Sequence, residues 1–389
     1  MIAPAVITLV EALGYRSLRH VSQPLGAFEV LAGPHGSGKT AFLDVIALLG
    51  RLVSSGLEAA VSERAANFAD LVWMHAGDTF EVAVEARIPP ARRVLLVNPD
   101  YQTVRYEAAL GLEPETRAIA ILEEKLLLRA PVPPEEQAPL FPRAPATILT
   151  GKGAKSVKTV VHKNPGGNDN FYDENGKGWD HAFRLGPRKS ALANLPDDEA
   201  KFPVATWLRD LLASGIRRLA PVPAVLRHPS PPGQPREFRP DGANLPWVVE
   251  RFAAAHPARF AAWLAQLQAA LPDLAGVDTV EREDDRHRYL VLDYRNGFAA
   301  PSWMASEGTL RLAALTLAAA LPDAAGVWLV EKPESGLHPC AVEAVYDALA
   351  AASGPQVLVS THSPVILARV PAERLRRFTL TPEGATTIA

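Results

Sequence analysis

The apolar positions of the first third of the chain fall into short, strand-sized runs around one helical stretch. AVITLVEAL (5–13) and FEVLA (28–32) read as strands, and AFLDVIALLGRLV (41–53), with apolar residues three and four apart, reads as a helix. FEVAVEAR (80–87) alternates as a half-buried strand does, and 94–97 and 104–110 carry a similar signal, so an antiparallel meander is expected after that helix. Residues 117–129 fit a strand or a helix. Helical spacing returns in VATWLRDLLASGI (204–216) and again in 245–271, separated by a proline-rich loop over 221–240.

The middle of the chain has another character. Six prolines in residues 131–145 forbid a regular interior element and mark a connector. Residues 151–181 are rich in Gly, Asn and Lys, with turn chemistry at PGGN and ENGKG, and are expected to form a hairpin-bearing insertion. Of the ten lysines in the chain, Lys152, Lys155, Lys158, Lys163, Lys177 and Lys189 lie between residues 152 and 189. Such a cluster is either a solvated loop or a contact for the phosphate backbone of DNA or RNA.

Composition narrows the class. With 389 residues, 48% of them hydrophobic, the chain can bury a full core, and its net charge of -3 lacks the global basic signature of a nucleic-acid coating protein. Any nucleic-acid contact must be local. The single cysteine, Cys340, allows no internal disulfide, and the N-terminus shows no basic stretch ahead of an apolar core. Apolar runs such as 310–321 are short and interrupted by Arg311. A cytoplasmic protein with no membrane span is expected.

The chemistry begins at Gly33-Pro34-His35-Gly36-Ser37-Gly38-Lys39-Thr40, which follows a predicted strand and opens a predicted helix. In that context the glycines let backbone N–H groups face a triphosphate, Lys39 meets its terminal phosphates and the Thr40 hydroxyl ligates magnesium, so ATP and Mg²⁺ are the expected cofactors. Far downstream, VWLV (327–330) is a buried strand that delivers Glu331 at its end, where an acid can complete the magnesium shell. A second strand, 356–360, leads to Thr361-His362-Ser363 and places His362 where ligands of open α/β sheets sit. Between them, Ser306, Glu307, Gly308 and Thr309 precede a strongly apolar helix, so their N–H groups stand ready for an anion.

The ordered set GPHGSGKT, SEGTLRLAAL, VWLVEKPESGLHP and STHSP resembles the RecF/SMC-like ABC-type AAA ATPases, particularly the compact bacterial predicted ATPases and the ATPase module of OLD-family proteins. The resemblance covers nearly the whole chain. It implies an α/β fold: an ABC-type P-loop ATPase head with a mixed sheet, an antiparallel N-terminal meander, a helical lobe and a loop-rich insertion. It divides the chain into 1–130 (first half of the head), 131–200 (connector and insertion), 201–300 (helical lobe) and 301–389 (second half of the head). Ser306 and Gly308 resemble the signature loop that meets the nucleotide of a second subunit, which implies a homodimer closed by an ATP sandwich. Ser335 to His338 match the loop that crosses that interface, His362 the switch histidine, and Arg16 is implied to lie near the nucleotide. His75 and, more weakly, Gln102 are the positions available for the Q-loop residue.

Departures from the pattern carry their own expectation. His35 stands where the family commonly has asparagine, which a backbone-driven loop tolerates. Lys332 stands where the family has the carboxylate that polarises the attacking water, and a cationic lysine cannot accept that proton. Glu334, two residues on, is the available substitute, and slow hydrolysis is expected. Two function classes follow: an ATPase whose dimer closes on ATP and acts on DNA or an effector, as in genome-maintenance and phage-defence systems, or a nucleotide-gated scaffold or sensor that serves a separately encoded nuclease with negligible hydrolysis. A nuclease within the same chain is disfavoured because the sequence ends soon after His362, and the absence of sustained heptads argues against long coiled coils.

Overall fold

The computed structural model describes residues 6–131, 144–151, 153, 156–164, 166–176 and 181–389. By internal contacts these form two units, one containing Ala27–Ala32 and Arg217–Leu375, the other containing residues 6–26, Gly33–Ile216 and Arg376–Ala389.

The first unit is built on parallel strands. Phe28–Ala32 pairs with Gln356–Thr361, which pairs with Val327–Glu331, and Leu219 extends the sheet by donating to Leu329 O at 2.9 Å. All three parallel strands are nearly continuous apolar runs, as expected of strands covered on both faces. Helices Leu245–Ala255, Pro257–Ala270, Glu307–Ala320 and Pro339–Ala351 contribute Phe252, Trp263, Leu315 and Val345 to one core with Val330 and Val359. An antiparallel sheet, Leu274–Glu281, Arg288–Tyr294 and Ala299–Pro301, completes the unit. The sequence reading did not identify these strands, because Arg282, Glu283, Asp284, Asp285 and Arg286 break the apolar pattern at their turn.

The second unit is dominated by an eight-stranded sheet. Its order is Leu18–Pro24, Ile7–Tyr15, Thr79–Arg87, Thr103–Leu112, Ile119–Arg129, Val157–Lys163, Asp169–Phe171 and His181–Phe183, antiparallel throughout. Residues 117–129, ambiguous from sequence, resolve into a strand. One face packs Tyr15, Phe68 and Phe80 ring to ring, with centroids 4.8 Å (Tyr15–Phe80) and 5.5 Å (Phe68–Phe80) apart. The other face is charged: buried Arg105 pairs with Glu11 and Glu107 and donates to Ile148 O at 2.9 Å, while Thr150 N–H reaches Glu107 at 2.7 Å. Residues 147–150 thus lie across a sheet face whose charges need partners.

One strand expectation fails here, and the lysine cluster proves mixed. Residues 94–97 are not a strand: Pro90 starts a helical turn, Pro90–Arg93, and Val94 and Val97 end 78% and 77% exposed, with Asn175 bonding Leu95 O and Val97 N. Nor are the insertion lysines uniformly free cations. Lys163 is buried, bonded to Asp169 at 2.5 Å and to Gly186 O at 2.8 Å, and Lys158 donates to Glu174 O and Gly176 O. Lys152, Lys155 and Lys177 lie outside the described residues.

Helix Lys39–Ser62 is the one helix among the described residues long and apolar enough to cross a membrane, but 67% of its most apolar window is buried within the protein. Phe42, Leu43, Ile46 and Leu49 are fully enclosed.

Candidate functional site

Strand Phe28–Ala32 is followed directly by the loop Gly33–Gly38, and Lys39 opens the helix. Gly38 caps that helix at φ 97°, a left-handed conformation, and a Cβ there would lie 2.1 Å from Thr386 Oγ1 and 2.9 Å from Ser17 Oγ. Gly33 is equally confined, since a Cβ would come within 2.2 Å of Phe378 O. Only glycine fits at either place. Lys39 Nζ folds back across the loop, donating to Gly33 O and Pro34 O at 2.8 Å each and to Ser37 Oγ at 3.2 Å. Pro34, His35, Gly36 and Thr40 are exposed, and no acidic residue offsets the positive end of the helix in its first turn.

Behind the loop, Asp44 gathers three partners: Tyr15 Oη donates to it at 2.6 Å, Arg64 Nε at 3.0 Å, and Arg16 pairs at 3.3 Å. Burial first, and Asp44 second, push the Tyr15 phenol far above its usual range, so it stays a donor. Arg16, implied by resemblance to lie near the nucleotide, is engaged here. His75 is exposed, 3.9 Å from Asp70. Gln102 is exposed beside the sheet, its backbone bonded to Ile88 and Arg129.

The first unit carries the acidic and signature elements. Glu331 ends its strand opposite Ser360 in the parallel register, and Arg218 approaches its carboxylate at 3.6 Å. Lys332 follows at φ 47°, left-handed and exposed, held by its N–H to Ser360 O at 2.8 Å. The turn then brings Glu334 to the neighbouring strand's end: Oε1 accepts the His362 N–H at 2.9 Å, whereas Oε2 is buried without a hydrogen-bond partner. Ser306 caps its helix by accepting the Thr309 N–H at 3.1 Å. A Cβ on Gly308 would sit 2.7 Å from Gly336 O, so the signature turn and the Ser335–His338 turn pack backbone to backbone. His338 caps the helix after it, accepting the Cys340 N–H at 3.4 Å.

Glu331, Glu334 and His362 therefore share one edge of the parallel sheet, linked by pairing and by the Glu334–His362 bond. Two arginines were not anticipated. Arg218 reaches Glu331. Arg311, on the signature helix, has a buried Nε without a partner, and burial pushes its guanidinium below the usual value against the pull of Glu307 and Glu334.

Two hard-oxygen groups stand in separate units, the exposed Thr40 hydroxyl in the second and the Glu331 carboxylate, whose side chain is 29% exposed, in the first. Among the described residues no group of three or more His, Cys, Asp or Glu could form an all-protein metal cage.

The family described as "AAA domain, putative AbiEii toxin, Type IV TA system" matches residues 28–368. No curated protein matches the sequence. Among solved structures, the chain is similar to an SMC head bound to the C-winged helix domain of ScpA, at 15% identity and TM-score 0.58, covering 99% of this chain and 97% of that one. It is also similar to an Smc head domain with an extended coiled coil bound to the C-terminal domain of ScpA derived from Pyrococcus furiosus, at 13% identity and TM-score 0.54, covering 99% and 96%. At these identities the likeness is one of fold, an ABC-type ATPase head.

Proposed function

The chain belongs to this AAA domain family, and from that premise we propose that it binds ATP with magnesium at Gly33–Thr40, dimerises on ATP and hydrolyses it slowly to gate a separate effector. The loop threaded by Lys39 carries the reading. Gly33 and Gly38 are sterically obligatory, the helix has no acid in its first turn, and its lysine is already directed across the loop. Glu331 serves as the magnesium acid. Ser306 and Gly308 serve a nucleotide held by a second copy, and His362 reports on its terminal phosphate. Glu334 takes up the proton of the attacking water through its unbonded Oε2, while Oε1 holds the histidine loop. Bound magnesium would neutralise the phosphate oxygens.

A second reading is favoured by one observation: Lys332, left-handed and exposed, occupies the position at which the resemblance implies a catalytic carboxylate. In that reading ATP is held rather than consumed, and the protein is a nucleotide-gated scaffold for a separately encoded nuclease. That an SMC head has been solved bound to a winged-helix domain supports a protein partner. A nucleic-acid role for the insertion is weakened, since Lys158 and Lys163 are spent on internal bonds. Calorimetry with Mg-ATP tests the shared core: Lys39→Ala is expected to weaken binding by a few kcal/mol, and unchanged affinity sinks the assignment. Size-exclusion chromatography with ATP tests the dimer. Ser306→Arg should bind ATP yet stay monomeric, and an ATP-bound dimer of that variant refutes completion by a second subunit. Timing phosphate release separates slow hydrolysis from none.

A further inference from the structure

The first unit contains a pocket of about 570 Å³, within the range of small-molecule sites. Its wall is formed by Leu219, Phe238, Val248, Phe252 and Trp328, none more than 6% exposed. The indole N–H of Trp328 is buried in that wall with no hydrogen-bond partner. Native structures seldom leave such a donor unmet unless water or a ligand supplies the acceptor.

The charges around the mouth narrow the ligand. Arg217 pairs with Glu237 and is neutralised. Arg251 is fixed by Pro235 O at 3.0 Å and Arg236 O at 3.1 Å. Burial lowers the affinity of Arg251 for its proton, and the neighbouring Arg236 lowers it further against the pull of Glu250. Arg236 itself is exposed and makes no ion pair among the described residues. Glu250, Asp323 and His256 complete the polar lining. The two acids oppose a polyanion, whereas a single negative charge finds Arg236 and Arg251 unneutralised by direct pairing.

We propose that this pocket binds an amphipathic organic monocarboxylate, its hydrocarbon body against Phe238, Phe252 and Trp328, its acceptor oxygens met by the Trp328 indole N–H and the Arg236 guanidinium. None of its lining residues belongs to Gly33–Thr40 or to Ser306–Thr309, so the site is probed without nucleotide.

Octanoate is the probe, titrated calorimetrically into the full chain without nucleotide, with octanol and octylamine as matched ligands that lack the negative charge. Octanoate should bind saturably with one site per chain, and octanol at least about tenfold more weakly, the worth of one charge-assisted hydrogen bond. Octylamine should not bind. Trp328→Phe, which keeps an aromatic filler but removes the donor, and Arg236→Gln, at an exposed position where folding is not at stake, should each weaken octanoate by about tenfold. Failure of octanoate to saturate at millimolar concentration, equal affinity for octanol, or unchanged affinity in Arg236→Gln overturns the proposal.

Discussion

Replacing Glu334 by glutamine removes a negative charge while keeping the acceptor that holds the histidine loop. Oε1 accepts the His362 N–H at 2.9 Å, and an amide oxygen can accept the same bond from the same place. The buried Oε2, which has no partner, becomes an amide nitrogen that cannot take a proton from water. Stability should change little: exchanging a charged for a neutral acceptor is worth about 1 kcal/mol, or roughly 1–2 °C in Tm for a chain of 389 residues. Chemistry should suffer more. A positioned base contributes roughly 10²–10⁴ in rate, about 3–5 kcal/mol of barrier. Because one oxygen of Glu334 is committed to His362, the lower end applies, about a hundredfold. The assay is phosphate release at saturating Mg-ATP, with ATP affinity measured by calorimetry on the same preparation. Turnover about a hundredfold down with unchanged affinity is the signature of an interaction made only in the transition state. Hydrolysis within about threefold of wild type refutes Glu334 as the base. Glu334→Ala, which also drops the His362 anchor, should cost a further ~1.5–3 kcal/mol of stability; equal stability of the two variants would show that the anchor is worth nothing.

Lys332→Glu supplies the carboxylate that the resemblance implies at this position, so phosphate release should rise, by up to roughly 10²–10⁴-fold; a rate at or below wild type means Lys332 is not the impediment. Gly38→Ala places a Cβ in a left-handed conformation and against the Ser17–Thr386 hydroxyl bond of 3.0 Å, and the two costs together should lower unfolding free energy by about 2–3 kcal/mol. A denaturation midpoint equal to wild type refutes the close approach. Glu174 caps helix Pro203–Asp210 through Val204 N–H and Ala205 N–H, and burial pushes its carboxyl up to about 7. The folded state therefore binds the proton more tightly than the unfolded one, so its contribution is present below pH 4.5 and is lost as pH rises to about 7, by up to about 3 kcal/mol. Urea unfolding at pH 5 and pH 8 should show a smaller pH dependence in Glu174→Gln than in wild type; equal slopes would contradict it.

What was legible in the sequence was local. The phosphate loop declares itself because a strand, a glycine loop and a helix lie in one continuous segment, and the conformations they need depend on neighbours in sequence. Strands Phe28–Ala32, Val327–Glu331 and Gln356–Thr361 were visible for the same reason: burial on both faces demands unbroken apolar runs. The Ser306 cap was legible from residue type, since a hydroxyl ahead of an apolar helix has an orphan N–H to meet.

Pairings between distant residues were not legible, because no local pattern encodes them. Lys158 and Lys163 look like surface cations in sequence; only the fold shows that Asp169, Glu174 O, Gly176 O and Gly186 O absorb them. Residues 94–97 have strand-like composition, yet a strand needs a partner edge, and Pro90 turns the chain before one can form. Likewise the sequence offered Glu334 as a substitute carboxylate, but only the parallel register showed that its carboxylate meets the His362 N–H. Sequence alone determined where the strands end in the loops that carry the candidate site residues. Tertiary structure decided which of those charged groups remain available, because burial makes a charge find a partner, and that partner can come from anywhere in the chain.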